Sequence, residues 1–268
     1  MGNSKKSNLI MISCNIYVDN QEIINYPIYE IIQKLDFIDY IFIYCGDQIS
    51  YDIIQPLVND PRITIEIINF KIRQPNDIAI AQNMCIELTK KKVNTGYILI
   101  LQADTQITPA GKQYILEWIT NPTGPAISFI TQHVKLYIET FTTNWGADLI
   151  EINAINRYIG DGARLSPNPD TYGESAGFID IGYLSSDIWY KKIKQHRLTW
   201  NSEAGLAQQT LYETDKARFI LEMGKYAHSQ SHNGVRTFID INNPIWLDAL
   251  TSMNLLDDYL YTKKLLEL

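Results

Sequence analysis

Little in this chain speaks for a secreted, membrane-spanning or nucleic-acid-coating protein. Its three cysteines, Cys14, Cys45 and Cys85, are too few and too scattered for a disulfide framework, and none stands in a CxxC or Cys/His metal spacing. Each lies in an apolar segment, so they read as reduced core residues and point to a reducing, cytoplasmic setting. No apolar run approaches the roughly 18 to 20 residues that span a bilayer, so no transmembrane segment is expected. The charged amino terminus has no apolar signal core behind it. Met1 to Ser7 comes close to a myristoylation pattern, but Lys6 stands where Ser or Thr is required, and residues 1–7 are expected to be a polar, disordered leader. Basic residues are in deficit, with 23 Lys and Arg against 30 Asp and Glu for a net charge of −7, which excludes general nucleic-acid binding through phosphate neutralisation. GxxxxGK[ST], GxGxxG, GxSxG and HExxH are all missing, which removes P-loop, dinucleotide, hydrolase-elbow and zincin assignments.

What is present is an ordinary globular chain. With 268 residues, 46% hydrophobic and 20% charged, it can bury one sizeable core. The expectation is a domain over residues 8–240 with C-terminal helices, 241–268, packed on it. Short apolar runs alternate with helical periodicity. Leu9 to Ile12 reads as a first strand ending on Ser13-Cys14-Asn15, and Ile28, Ile31, Ile32 and Leu35 then recur at the spacing of one helix face. Tyr40 to Tyr44 and Ile63 to Ile68 read as further strands, and Asn76-Asp77 opens a helix through Ala81, Met84, Cys85 and Leu88. Tyr97 to Leu101 is the most apolar strand, Thr108-Pro109 starts another helix, and Ala126 to Ile130 is a fifth strand. The alternation predicts an α/β fold whose mostly parallel sheet is covered on both faces. Beyond residue 135 the periodicity weakens, and the Gly-rich stretch from Gly160 to Gly177 reads mainly as loop. Ser185-Ser186 caps a helix to about His196, and Asn243-Pro244 opens the C-terminal helices.

Ligands of such sheets sit beyond the carboxyl ends of the strands. Polar residues placed there, Ser13, Asn15, Asp47, Gln102 and Asp104, are therefore candidates as a group. Asp104 ranks first, because an acid leaving a buried strand can hold a divalent cation against the diphosphate of a nucleotide.

The run Gln102-Ala103-Asp104 after an apolar strand resembles the DxD-type strand end of GT-A fold glycosyltransferases, in particular inverting family 2 members in which it reads Gln-Ala-Asp-Glu. Thr105 stands where the final acid would be. The resemblance implies a GT-A fold and transfer of a sugar, with inversion, from a nucleotide diphosphate sugar to a hydroxyl on a glycan, lipid or protein. It also implies a divalent metal, Mn2+ or Mg2+, on Asp104. Ser13, Asn15 and Asp47 would hold the base and ribose, with Gln102 and Ala103 beside the nucleotide. Here Gly46-Asp47-Gln48 replaces the family's Asp-Gly-Ser, and a turn or cap role suits Asp47 and Asn15 equally. Tyr172-Gly173-Glu174-Ser175-Ala176-Gly177-Phe178 resembles the family's Tyr-Gly-Asp segment and makes Glu174 the candidate base, with Asp170 and Asp161 as rivals. The segment from His228 to Arg236 resembles the closing His-Tyr-Gly-x-Val-Arg, in which His232, ahead of His228, would complete the metal sphere and Arg236 would face phosphate. A sugar nucleotidyltransferase, or a GT-A protein that binds nucleotide sugars without turnover, would carry many of the same features.

Overall fold

The computed structural model of the chain describes residues 10–19, 28–144, 147–160, 162, 164–200, 203–231 and 237–267. Its first half alternates strand and helix: β1 Ile12–Val18, α1 Ile28–Gln33, β2 Tyr40–Cys45, α2 Gln48–Ile54, β3 Ile63–Ile67, α3 Asn76–Lys90 and β4 Tyr97–Leu101. A short β5, Thr105–Ile107, precedes α4, Pro109–Thr120. The second half is richer in short strands: β6 Ala126–Phe129, β7 Thr131–Lys135, β8 Ile138–Thr143, β9 Ala147–Glu151, β10 Arg157–Ile159, β11 Arg164–Ser166, β12 Asp170–Tyr172 and β13 Phe178–Tyr183. Helices α5 Ser186–Trp200, α6 Glu203–Thr214, α7 Lys216–Ser229, α8 Pro244–Ser252 and α9 Leu256–Glu267 complete it.

Seven strands form one sheet in the order β12-β6-β9-β4-β1-β2-β3, in which β9 runs against both neighbours and the others are parallel to one another. Alternation along each strand supplies the two faces. Ile12, Cys14, Ile16, Ile41, Ile43, Leu99 and Leu101 pack against α1, α4 and the C-terminal helix α8 through Ile32, Ile115, Trp118 and Trp246. Phe42, Tyr44, Ile98 and Ile100 face the other way, onto Ala81, Cys85 and Ile86 of α3. Both faces are therefore dry, the condition under which unbroken apolar runs make strands. All three cysteines are buried and free, and burial pushes their thiols up.

A second, four-stranded sheet, β5-β13-β7-β8, branches off where the chain leaves β4. It has its own core, in which Leu136 and Ile138 pack on Trp189, Ile193, Phe219 and Ile220 of α5 and α7, with Leu266 of α9. This sheet is what positions the site.

Three expectations change at this level. The first strand is Ile12–Val18, not Leu9–Ile12, so Ser13 and Asn15 lie inside the sheet and not at its carboxyl edge. Asp104 is followed by β5 before the helix begins. The stretch from Gly160 to Gly177 contains two short strands, β11 and β12, and β12 extends the large sheet beside β6.

Candidate functional site

The parallel strands end together on one edge, and three of them run into an acid: Asp19 after β1, Asp47 after β2 and Asp104 after β4. Asp47 serves first as a cap. Its Oδ1 accepts from the Ser50 backbone N–H at 2.8 Å and the Ser50 hydroxyl at 2.6 Å, and Lys71 pairs with Oδ2 at 2.8 Å. Burial pushes this carboxyl up, but the Lys71 and Ser50 hydrogen bonds outweigh it and hold the group below its ordinary range. Ser13 and Asn15 have no access to this edge. Asn15 accepts from the Thr89 hydroxyl at 2.7 Å, and Thr89 also meets the Tyr44 hydroxyl at 2.8 Å, a network sealed between β1, β2 and α3. A polar residue buried with its own partner is what the strand reading had missed.

Asp104 occupies the turn between β4 and β5, where the Thr105 N–H closes onto the Gln102 carbonyl at 3.0 Å. Gln102 is half-buried and Ala103 is buried. The Asp104 side chain is only 8% exposed, and its Oδ2 accepts from Lys192 Nζ of α5 at 2.5 Å. Pairing between β5 and β13 sets Asp180 opposite Thr105, so a second acid stands beside the first. The Asp104 carbonyl also accepts from the Ile181 N–H at 2.9 Å. Gly182 lets these groups converge: a Cβ there would lie 2.8 Å from Asp104 Oδ2, 3.0 Å from Asp180 Oδ1 and 3.4 Å from Lys192 Nζ.

Asp180 is held on its other side by β7. His133 Nδ1 lies 2.7 Å from Asp180 Oδ2, while Asp180 Oδ1 accepts from the Gly182 N–H at 2.7 Å. A carboxylate can only accept, so Nδ1 carries a proton and donates it to Asp180; in the neutral ring the lone pair then falls on Nε2, which the Thr143 hydroxyl meets at 2.9 Å. Stacking on Phe141, 4.5 Å between centroids, fixes the ring plane. Burial pushes the Asp180 carboxyl up, yet the hydrogen bond from His133, the positive charge that ring carries when protonated, the charge of Lys192 and the Gly182 N–H together hold it below the usual carboxylate range. Next along β7, the Lys135 ammonium is 5.4 Å from the Tyr183 ring and 5.0 Å from the Tyr226 ring, and it donates to Gln230 at 2.5 Å. Burial lowers its pKa.

Asp104, Asp180, His133 and Lys192 thus form one contiguous cluster. Asp104 alone came from the sequence motif. His133 and Asp180 carry no local signal beyond an ionisable residue inside an apolar strand, and the partnership is made by strand pairing. Glu174 does not join them. It is exposed, on the loop between β12 and β13, and that loop is pinned to the start of α4. The Thr108 N–H and hydroxyl each donate to the Gly177 carbonyl at 3.0 Å, and Tyr114 meets Ser175 at 2.9 Å. Gly111 permits this approach, since a Cβ on it would sit 2.0 Å from that carbonyl oxygen. Asp170 is exposed on the edge strand β12, and His228 is half-buried in the last turn of α7. Asp161, His232 and Arg236 lie outside the described residues.

The divalent ion implied by the resemblance does not fit the donors that are described. In nucleotide sites such ions take one or two free carboxylates beside phosphate oxygens and waters. Here Asp104 is engaged by an ammonium, Asp180 by an imidazole, and Thr105 replaces the further acid. Among the described residues no three His, Cys, Asp or Glu side chains converge as a metal site. A groove of about 530 Å³ lined by Lys34, Ile107, Thr108, Lys112, Pro244 and Asp248 shares none of the cluster's side chains. Among the described residues no helix is long and apolar enough to cross a membrane.

No protein-family model matches the chain, and no curated protein matches it in sequence. Solved structures similar to it include HddC from Yersinia pseudotuberculosis, 13% identical over 69% of this chain and 99% of that one, with a TM-score of 0.46. Residues 1–349 of S. aureus TarS in complex with UDP are 12% identical over 96% and 88%, with a TM-score of 0.45. The mannosyltransferase PcManGT from Pyrobaculum calidifontis, in complex with GDP-Man and Mn2+, is 8% identical over 96% and 84%, with a TM-score of 0.45. At such scores these likenesses carry no functional argument, which must come from the chain's own residues.

Proposed function

We propose that this protein is a glycosyltransferase that moves a sugar, with inversion, from a nucleoside diphosphate sugar to an acceptor hydroxyl on a glycan, lipid or protein. The observation that carries the reading is Asp104. A nearly buried acid leaves the central parallel strand at the edge where α/β sheets take ligands, and an ammonium and a second acid gather around it. Its run Gln102-Ala103-Asp104 is also where the resemblance to glycosyltransferases is strongest.

In the proposed reaction the acceptor oxygen attacks the anomeric carbon from the face opposite the diphosphate. The bond from that carbon to the phosphate oxygen breaks, and the nucleoside diphosphate leaves with the electron pair. The acceptor proton needs a base. His133 suits this role better than Glu174, because its Nε2 faces a hydroxyl, that of Thr143, and Asp180 on Nδ1 would leave the lone pair of the neutral ring on Nε2 and balance the imidazolium.

The test is a panel of nucleoside diphosphate sugars incubated with the full chain, reading slow release of nucleoside diphosphate. Release from one donor of the panel is expected. A panel with no turnover and no binding overturns the reading, and formation or consumption of pyrophosphate would assign the site to sugar nucleotidyl transfer instead.

A further inference from the structure

We infer that the positive charge facing the donor's diphosphate is Lys192, held by Asp104, in place of a divalent metal ion. The inference rests on the proposed use of a nucleoside diphosphate sugar and concerns only how that donor is neutralised.

Lys192 lies on the buried side of α5, in line with Ile188, Trp189 and Ile193, all of which are core residues. A lysine on such a face loses hydration, and a long apolar side chain would pack there without that cost. Its ammonium turns back over Gly182 to the strand end, 2.5 Å from the one acid that the metal reading requires. Gly182 carries no side chain at the point where a Cβ would meet Asp104, Asp180 and Lys192 together, so the approach is built into β13. A divalent ion drawn to this carboxylate would meet an ammonium already seated on its Oδ2.

A second cation shares the ring that Lys192 approaches. The Lys192 and Lys135 ammonium groups are 5.9 Å and 5.4 Å from the ring of Tyr183. Lys135 makes no salt bridge among the described residues, its ammonium being held by the Gln230 amide and by aromatic rings. Lys135 thus adds a second positive charge beside the same tyrosine ring. Asp104 then acts as the holder of Lys192, which explains why a single acid suffices and why Thr105 can replace the next one.

The experiment measures binding of UDP, GDP and the other common nucleoside diphosphates to the full chain by calorimetry, in EDTA and in Mn2+. Binding of Mn2+ alone is followed by its paramagnetic resonance signal. For the nucleotide that binds, the affinities in EDTA and in Mn2+ are expected to agree within about threefold, and Mn2+ alone is expected to stay in solution. Lys192→Met should weaken metal-free binding by tenfold or more and Lys192→Arg should recover part of it, with circular dichroism confirming that both fold. Binding that collapses in EDTA, or Mn2+ held by the wild-type chain without nucleotide, overturns this inference and leaves the proposed transferase standing. If no nucleoside diphosphate binds under either condition, both fall. The comparison of EDTA with Mn2+ uses the unaltered protein and decides the matter even if Lys192→Met does not fold.

Discussion

Two nearly buried acids sit in this molecule a few residues apart across one strand pair, and their surroundings separate a site from a scaffold. Asp148 lies inside β9, opposite Ile100 of β4, and Asp104 lies just past the end of β4. Around Asp148 the protein provides hydroxyls: Tyr158 donates to Oδ2 at 2.5 Å and Ser128 donates to Oδ1. Around Asp104 it provides an ammonium. Hydroxyls compensate a buried carboxylate only in part, and burial pushes Asp148 up to about 6 despite both bonds. Burial of an acid therefore does not by itself mark function. What distinguishes Asp104 is its place at the carboxyl edge and a counter-charge that can be shared with an anionic ligand.

The comparison breaks most sharply at Asp104. Asp104→Asn keeps the shape but removes the charge that orients Lys192, and turnover is expected to fall by about 10³-fold or more, measured as nucleoside diphosphate release. The unpaired ammonium should cost about 1–3 kcal/mol, a loss of several degrees in melting temperature for a chain of this size, with the fold retained. Turnover near the native rate would move the site away from this strand end.

His133→Gln is next in size. A base acts only as the proton moves, so turnover should drop about 10²- to 10⁴-fold while donor affinity, read by calorimetry, stays within about twofold. A matching loss of donor affinity would reduce His133 to a structural partner of Asp180.

Asp148→Asn probes the other half of the comparison, and its effect lies in stability and not in rate. The folded-state pKa is raised from 3.8 to about 6, so the native state binds a proton that the unfolded chain has released. That contribution is fully present below about pH 4 and is lost as pH rises through about 6, a fall of about 3 kcal/mol at most. Denaturant midpoints followed from pH 4 to 7 should therefore decline in the native protein and decline less in the Asn variant, with turnover little changed. Equal slopes would mean that Asp148 is already ionised in the fold.

How much of this could be read from the sequence depended on how local the determining contacts are. β2 and β4 emerge within a residue of their apolar runs because both faces are dry along nearly all of each run, and β3, half-buried at the sheet edge, follows its β-branched run. Thr108 and Asn243 cap their helices as their identities suggest. β1 is harder to place because Ser13 and Asn15 look like the end of a strand, whereas in the fold Thr89 donates to Asn15 Oδ1 and Tyr17 donates to the Phe70 carbonyl within the sheet and its cover. The four-stranded sheet was invisible for a stronger reason. Its strands are short, their partners are distant in the chain, and only the pairing of β13 with β5 and β7 brings Asp180 to Asp104 and His133. The motif found one acid of the cluster, and the topology supplied the others.

Glu174→Gln carries the smallest expected effect and tests that lesson directly, because the resemblance favours Glu174 as base and the topology favours His133. Between Glu174 and the cluster stands the whole of the β5–β13 ladder, in which Phe178 is level with Ile107 and Asp180 is level with Thr105. The loop bearing Glu174 continues past Phe178 in the direction away from Asp104 and is clamped by Thr108 and Tyr114. To reach an acceptor near Asp104 the loop would have to give up the hydrogen bonds from Thr108 and Tyr114 and the close approach of Gly111 to Gly177. Each hydrogen bond is worth about 1 kcal/mol, and nothing in the loop replaces them. An exposed carboxylate changed to its amide should also leave stability within about 0.5 kcal/mol. Turnover of Glu174→Gln is therefore expected within about threefold of the native rate under conditions where His133→Gln is severely impaired. Should the two variants exchange places, with Glu174→Gln inactive and His133→Gln near normal, the base lies on the loop. The Asp180–His133 pair would then be a structural ion pair of the second sheet.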